Sequence, residues 1–128
     1  MIGGLGLDVV EIERVRRLLG NKGERALARL FTTEERRYCE AKPDPARHFA
    51  VRIAAKEAAF KALSGTPLAR TIGWRDIEVA VDAGGAPTIL LHGVAARRAT
   101  QLDVSHVWLS LSHADDVAAA VVILDVRR

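Results

Sequence analysis

Cysteine is nearly absent: Cys39 is the only one, so no internal disulfide can form, and His48, His92, His106 and His113 have no zinc-type spacing with it. Long apolar runs are missing as well. No stretch approaches the roughly 18 to 20 residues of a membrane span, and the N-terminal stretch lacks the basic start and small-residue cleavage site of a secretory signal. The expectation is a soluble, cytoplasmic protein with no membrane partner. Aromatic residues are scarce at 5%, and only Phe31, Tyr38 and Phe49 accompany the basic residues, with no recognisable nucleic-acid motif. A basic nucleic-acid-binding module is therefore the weaker alternative to an enzyme. Low-complexity runs, repeats and linkers are also lacking, so the 128 residues, 49% of them hydrophobic, are expected to form a single domain with one core.

What is present is an uneven charge. The net charge is only +3, yet residues 14 to 52 hold eleven Lys or Arg against five Asp or Glu, while residues 53 to 128 balance at eight each. The segment carrying Arg14, Arg16, Arg17, Lys22, Arg25, Arg29, Arg36, Arg37, Lys42, Arg47 and Arg52 reads either as a solvated helix surface or as a steering field for an acidic partner.

In residues 2 to 10, Leu5, Leu7 and Val9 alternate with Gly4, Gly6, Asp8 and Val10, which predicts a strand with the leucines on its core face and Asp8 turned away from it. From Ile12 the period becomes helical, with Val15, Leu18 and Leu19, and Gly20-Asn21 reads as a stop. A second helical pattern covers Glu24 to Leu30, and Thr32-Thr33-Glu34-Glu35 reads as a capping box. The longest predicted helix runs from Ala46 to Leu63, followed by a loop to Trp74. Ile77 to Val81 and Thr88 to Leu91 form a predicted hairpin, residues 93 to 102 a short helix, and Val107 to Ser112 with Val117 to Val126 a second hairpin. This order implies an α+β fold, an antiparallel sheet with helices packed on one face.

Two acids stand where plain core elements prefer apolar residues: Asp8 in the glycine-punctuated strand and Glu57 in the alanine-rich helix. At about 100° per residue, Phe49, Ile53, Phe60 and Leu63 define the helix's predicted buried stripe, with Glu57 on its edge and Lys61 just beyond. Glu57 and Lys61 read either as a surface ion pair or as parts of a site. Lys56 points to the apolar face, where it must meet Asp8, Glu57 or a carbonyl, or else snorkel to solvent. Magnesium is held by one or two carboxylates plus substrate phosphate, so Asp8 and Glu57 suffice, and the adjacent lysines suit a polyphosphate. Ser112-His113, adjacent in sequence, does not make a catalytic triad.

Three blocks resemble the holo-acyl-carrier-protein synthase type of phosphopantetheinyl transferase. They are Gly4-Leu5-Gly6-Leu7-Asp8-Val9-Val10-Glu11-Ile12; Arg47-His48-Phe49-Ala50-Val51-Arg52-Ile53-Ala54-Ala55-Lys56-Glu57-Ala58 with Lys61; and Val107-Trp108-Leu109-Ser110-Leu111-Ser112-His113 followed by Val117-Ala118-Ala119-Ala120-Val121. The resemblance implies transfer of 4'-phosphopantetheine from coenzyme A to a serine of an apo acyl carrier protein, with magnesium, releasing adenosine 3',5'-bisphosphate, in the service of fatty-acid or polyketide synthesis. It implies that Asp8 and Glu57 hold the metal and that Lys61 lies by the same phosphates. Arg52 and His113 would contact the 3'-phosphate side of coenzyme A, and Pro87 the adenine. The general base implied is Glu57 or a water that it orients.

The resemblance further implies docking of the acidic carrier protein on the helix after the first strand, at Arg14 with Arg17 and Arg25, and a homotrimer with active sites between subunits. The chain departs from the family where Ser64-Gly65-Thr66-Pro67 replaces a Gly-Thr-Gly run; Ser64 and Gly65 are carried over as contacts of the pantetheine arm, and Pro67 removes an N–H donor. Ala114 also follows His113 where some relatives have a polar residue.

Overall fold

The computed structural model describes residues 1–127, with the side chain of Lys22 outside the described residues. Strand β1 (Ile2–Glu11) runs directly into helix α1 (Ile12–Leu30), followed by α2 (Thr33–Glu40) and the long α3 (Pro45–Leu63). Two short 3₁₀ turns, Leu68–Thr71 and Trp74–Asp76, lead to the hairpin β2 (Ile77–Val81) and β3 (Pro87–Leu91). Helix α4 (Gly93–Leu102) and the hairpin β4 (Val104–His113) and β5 (Val117–Val126) complete the chain. The main sheet is antiparallel in the order β1-β5-β4, and β2-β3 form a separate two-stranded sheet. The α+β expectation holds. Among the described residues no helix is long and apolar enough to cross a membrane.

Helix α3 organises the core. Its alanines Ala54, Ala55, Ala58, Ala59 and Ala62 are buried among Val122, Leu124, Ile77 and Val79. A second cluster at its N-terminal half joins Phe49, Ala50 and Ile53 to Ile12, Val15, Leu30 and Phe31. Small side chains let the helix lie close on the sheet, so it is buried nearly all round. Among its large apolar side chains Phe60 is the exception. Assigned to the buried stripe from its spacing, it is 38% exposed and lines a cavity instead.

Strand β1 faces opposite to the sequence expectation. Leu5, Leu7 and Val9 are exposed, and the face bearing Gly4, Gly6, Asp8 and Val10 packs on α3. The reason is steric: a Cβ on Gly4 would lie 2.3 Å from the carbonyl oxygen of Ala62, and one on Gly6 only 1.7 Å from that of Ala58. Only glycine fits between these backbones. On the open face, register aligns Leu5 with Ile123 and Trp108, and Leu7 with Val121 and Ser110.

The expected stop at Gly20-Asn21 also moves: the helical turns continue to Gly23, whose φ of 52° and ψ of −123° kink α1. The capping box is present, with Thr32 Oγ1 accepting from the Glu35 N–H at 3.2 Å and Glu35 Oε1 accepting from the Thr32 N–H at 2.9 Å. Strand β4 is longer than its apolar pattern predicted, because ladder bonds to β5 continue to Val104 and His113.

Candidate functional site

Because Gly4 and Gly6 draw β1 onto α3, Asp8 arrives on the helix side of the sheet beside the turn that carries Glu57 and Lys61. Lys61 Nζ lies 3.1 Å from Asp8 Oδ1 and donates to the Leu7 carbonyl at 2.9 Å. Asp8 Oδ2 is buried and has no hydrogen-bond partner. The Glu57 carboxyl is pushed up to about 7, first by burial and then by the neighbouring Asp8 carboxylate, against the pull of Lys61 and Arg14. Two carboxylates this close cannot both stay ionised without a proton or a cation between them. An orphaned carboxylate oxygen beside a readily protonated glutamate fits a divalent cation of the oxygen-seeking kind. Among the described residues no group of three or more acidic, His or Cys side chains is poised to hold a metal, so further ligands would come from water and substrate oxygens.

Lys56 meets neither Asp8 nor Glu57. Its ammonium is buried, paired to Glu35 Oε1 at 2.8 Å and donating to the carbonyls of Trp74 and Ile77. Glu35 Oε2 in turn accepts from the Val79 N–H at 2.7 Å. Burial lowers the lysine's affinity for its proton while the Glu35 carboxylate opposes that shift. The glutamate that closes the capping box therefore also ties α2, α3 and β2 together, a partner that spacing along α3 had no means of disclosing.

The Trp74 loop fixed in this way walls a cavity of about 340 Å³ with Phe60, Ile72 and Ile77, into which Glu57, Lys61 and Arg70 bring charge. Ser64, Gly65, Thr66 and Pro67 line an adjoining hollow that shares Phe60 and Arg70. Gly65 has φ 112°, a conformation that suits glycine, and Arg98 from α4 donates to the carbonyls of Leu63 and Ser64 to close the end of α3. Trp74 and Phe60 escaped sequence reasoning. The first lies in an aperiodic segment, and the second had the spacing of a core residue.

Arg52 and His113 belong to a separate group. Arg52 is 4% exposed, its guanidinium 4.4 Å from the centre of the Tyr38 ring, and its Nη1 donates to the His48 carbonyl at 3.3 Å. Lys42 Nζ lies 4.5 Å from the centre of the same ring. The Nε atoms of Arg47 and Arg52 are buried without acceptors. His113 ends β4, paired with Ala118. Asp8 stands on β1 and His113 on β4, the two edges of the sheet with β5 between them, so the two groups flank α3 on different sides.

The remaining expected residues scatter. Arg14, in the first turn of α1, is exposed and shares a cavity of about 360 Å³ with Glu57, Leu18 and Trp74. Arg25 and Arg29 line a wider one with Leu18, Leu30 and Trp74, so the two cavities meet at Leu18, Leu30 and Trp74. Arg17 is exposed and lines neither, while Arg16 is engaged by Asp44 at 2.9 Å. Pro87 starts β3 and lines a hollow with His106 and Trp108, apart from both groups above. Cys39 is buried, its thiol pushed up to about 12 by that burial, which leaves it inert as a nucleophile.

Residues 4–122 match the family model described as the 4'-phosphopantetheinyl transferase superfamily. A holo-[acyl-carrier-protein] synthase of Anaeromyxobacter dehalogenans is 50% identical over 128 residues, covering 98% of this chain and 97% of that protein. Among solved structures, the holo-[acyl-carrier-protein] synthase of Neisseria meningitidis superposes with a TM-score of 0.85 at 30% identity, over 98% of this chain and 99% of the other. The Helicobacter pylori holo-[acyl-carrier-protein] synthase in complex with coenzyme A superposes with a TM-score of 0.80 at 26% identity, over 94% of this chain and 99% of the other.

Proposed function

Since the chain belongs to the 4'-phosphopantetheinyl transferase superfamily, we propose that residues 1–128 form one domain with the activity of the holo-acyl-carrier-protein synthases it resembles. The enzyme transfers 4'-phosphopantetheine from coenzyme A to a serine of an apo acyl carrier protein. The serine Oγ forms a bond to the pantetheine-bearing phosphorus, the phosphoanhydride bond breaks, and adenosine 3',5'-bisphosphate leaves with the bonding electrons while the hydroxyl proton passes to a base. No nucleophile from the enzyme is needed, in keeping with the inert Cys39.

The observation that carries this reading is the Asp8–Glu57–Lys61 group: a buried acceptor with no donor, a glutamate near 7, and an exposed ammonium beside them. Asp8 and Glu57 are the ligands for magnesium, which supplies neutralisation of the pyrophosphate charge. Lys61, now held by Asp8 and the Leu7 carbonyl, is free to turn to a phosphate oxygen, because its side chain is exposed. Glu57, or a water that it orients, takes the serine proton. Ser64 and Gly65 adjoin the apolar cavity at Phe60 and Trp74 that suits the pantetheine arm. Arg52 and His113 serve the 3'-phosphate, and Pro87 the adenine.

These groups line separate surfaces of one chain, which supports a site assembled between copies. The exposed apolar row of Leu5, Leu7, Val9 and Trp108 on the open sheet face supports the same idea, with a homotrimer as the assembly. Arg14 and Arg25, which line the two cavities that meet at Leu18, Leu30 and Trp74, suit an acidic carrier protein whose serine must come to Glu57; Arg17, exposed on the same helix, adds a steering charge. We place this activity in the cytoplasm, in fatty-acid synthesis or a related carrier-protein pathway.

Intact mass spectrometry of an apo acyl carrier protein, incubated with this protein and coenzyme A with and without magnesium, tests the reading. The expected result is a gain of one phosphopantetheine only with the metal, lost in Asp8→Ala. No gain with several carrier proteins and a folded enzyme would remove it.

A further inference from the structure

The group around Tyr38 holds more positive charge than the assigned residues require. Arg47 and Arg52 from α3, Lys42 from the α2–α3 turn and His113 from β4 all bear on His48, and its imidazole stands with its edge to the Tyr38 ring, centroids 6.2 Å apart. The Nε atoms of Arg47 and Arg52 are buried without an acceptor. Arg52 is more than nine-tenths buried, and a guanidinium N–H left unpaired at that depth is costly unless an anion completes it. Asp44, the acid that bears on His48, accepts from Arg16 at 2.9 Å and 3.3 Å and stands 4.0 Å from the Arg47 Nε, an ion pair too long to complete that N–H with a hydrogen bond.

We propose that His48 is a further specificity residue for the 3'-phosphate of coenzyme A: it gains a proton as the phosphate fills the cluster around Tyr38, so that coenzyme A is preferred over its dephosphorylated form most strongly on the acid side of neutrality. The proposal rests on the transferase reading, which puts that phosphate beside Arg52 and His113. His48 is half-buried beside the cations Arg52, Lys42 and Arg47, with His113 near, and both the burial and the charges disfavour its proton while the site holds no anion. A phosphate monoester brings close to two negative charges at neutral pH, with its second ionisation near 6. It reverses the local field, supplies the orphaned N–H groups with acceptors, and converts His48 from a neutral ring into a donor. Above about pH 6.5 the free phosphate is already mostly doubly ionised, so the proton gained on binding belongs to the protein.

Calorimetric binding of coenzyme A and of dephospho-coenzyme A, both with magnesium and without carrier protein, at pH 6.5 and 7.5, isolates this effect. The two ligands share the pyrophosphate, so protons exchanged at Glu57 cancel in the ratio of their affinities. In the wild type that ratio should fall by about threefold to tenfold between the two pH values, the upper figure being the limit for one proton. His48→Gln should hold it flat, and His113→Gln should keep the slope. In parallel, the His48 ring proton signal of the unmodified enzyme should titrate higher with adenosine 3',5'-bisphosphate than with adenosine 5'-monophosphate. A pH-independent preference for coenzyme A in the wild type, or an unchanged slope in His48→Gln, overturns the role of His48 and leaves the transferase reading standing. Failure of the folded protein to bind either ligand removes both.

Discussion

At the scale of single residues, Glu57 makes the sharpest statement about pH. Its carboxyl protonates near 7 in the folded protein and near 4.5 when unfolded, so between those values the folded state binds more protons and stability falls as pH rises. Melting temperature measured without metal should therefore decline from pH 5 to pH 7.5, with the decline flattened in Glu57→Gln, and magnesium should stabilise the protein more at pH 8 than at pH 6. Equal slopes in the two proteins would remove Glu57 as the source. Glu35 and Lys56 test a different property. Glu35→Leu strands the N–H groups of Thr32 and Val79 and leaves the Lys56 ammonium with two carbonyls but no counter-charge, whereas Lys56→Met leaves a carboxylate still served by two N–H groups. Breaking a buried pair costs on the order of 3 to 5 kcal/mol, and Glu35→Leu should be the costlier of the two in urea unfolding. A loss below about 1 kcal/mol there would show that the pair contributes little. Lys56 was legible as a buried lysine from its place on the helix; Glu35 was legible only as a cap, because no local pattern links residues 35 and 56.

Among the elements, the packing of β1 on α3 decides the site. Gly6→Ala forces a methyl against the Ala58 carbonyl, and the strand must move off the helix, at about 1 to 3 kcal/mol for a small overpacking and more when the obstacle is backbone. Because Asp8 lies two residues further along the same face, this variant should also lose most phosphopantetheine transfer. Gly20→Ala, whose added methyl has nothing within 4 Å, should keep activity and gain up to about 1 kcal/mol of helix propensity. Thermal melting and the transfer assay on both variants check this; equal behaviour would mean that the close approach at Gly6 is unimportant. Element types and order were readable because each segment repeats at its own period and some are bounded by strong signals, such as the Thr32–Glu35 box that opens α2. The face of β1 was misread, since alternation tells which residues share a face and not which face meets the core.

For the whole molecule, the open side of the β1-β5-β4 sheet is the outstanding feature. Leu7 is 59% exposed and Trp108 55%, with Val121 and Ile123 between their strands, an apolar surface that a monomer would leave in water. In the proposed homotrimer this face is the contact, so Leu7→Asp should give monomers by light scattering during gel filtration and reduce transfer strongly, because under that proposal Asp8–Glu57 and Arg52–His113, on different flanks of α3, act on one coenzyme A from neighbouring chains. A Leu7→Asp variant that remains trimeric would move the interface elsewhere.

The amino-acid order alone determined the family blocks, the α+β class and the chemical types at the site, since residue identity and short-range period are local properties. Tertiary structure alone decided that the glycine face of β1 meets α3, that Lys56 pairs with Glu35, that Phe60 and Trp74 wall a cavity, and that the cations around Tyr38 stand apart from Asp8. Each of these depends on which distant segments touch, and that is set by steric fit and burial across the fold, which no local pattern records.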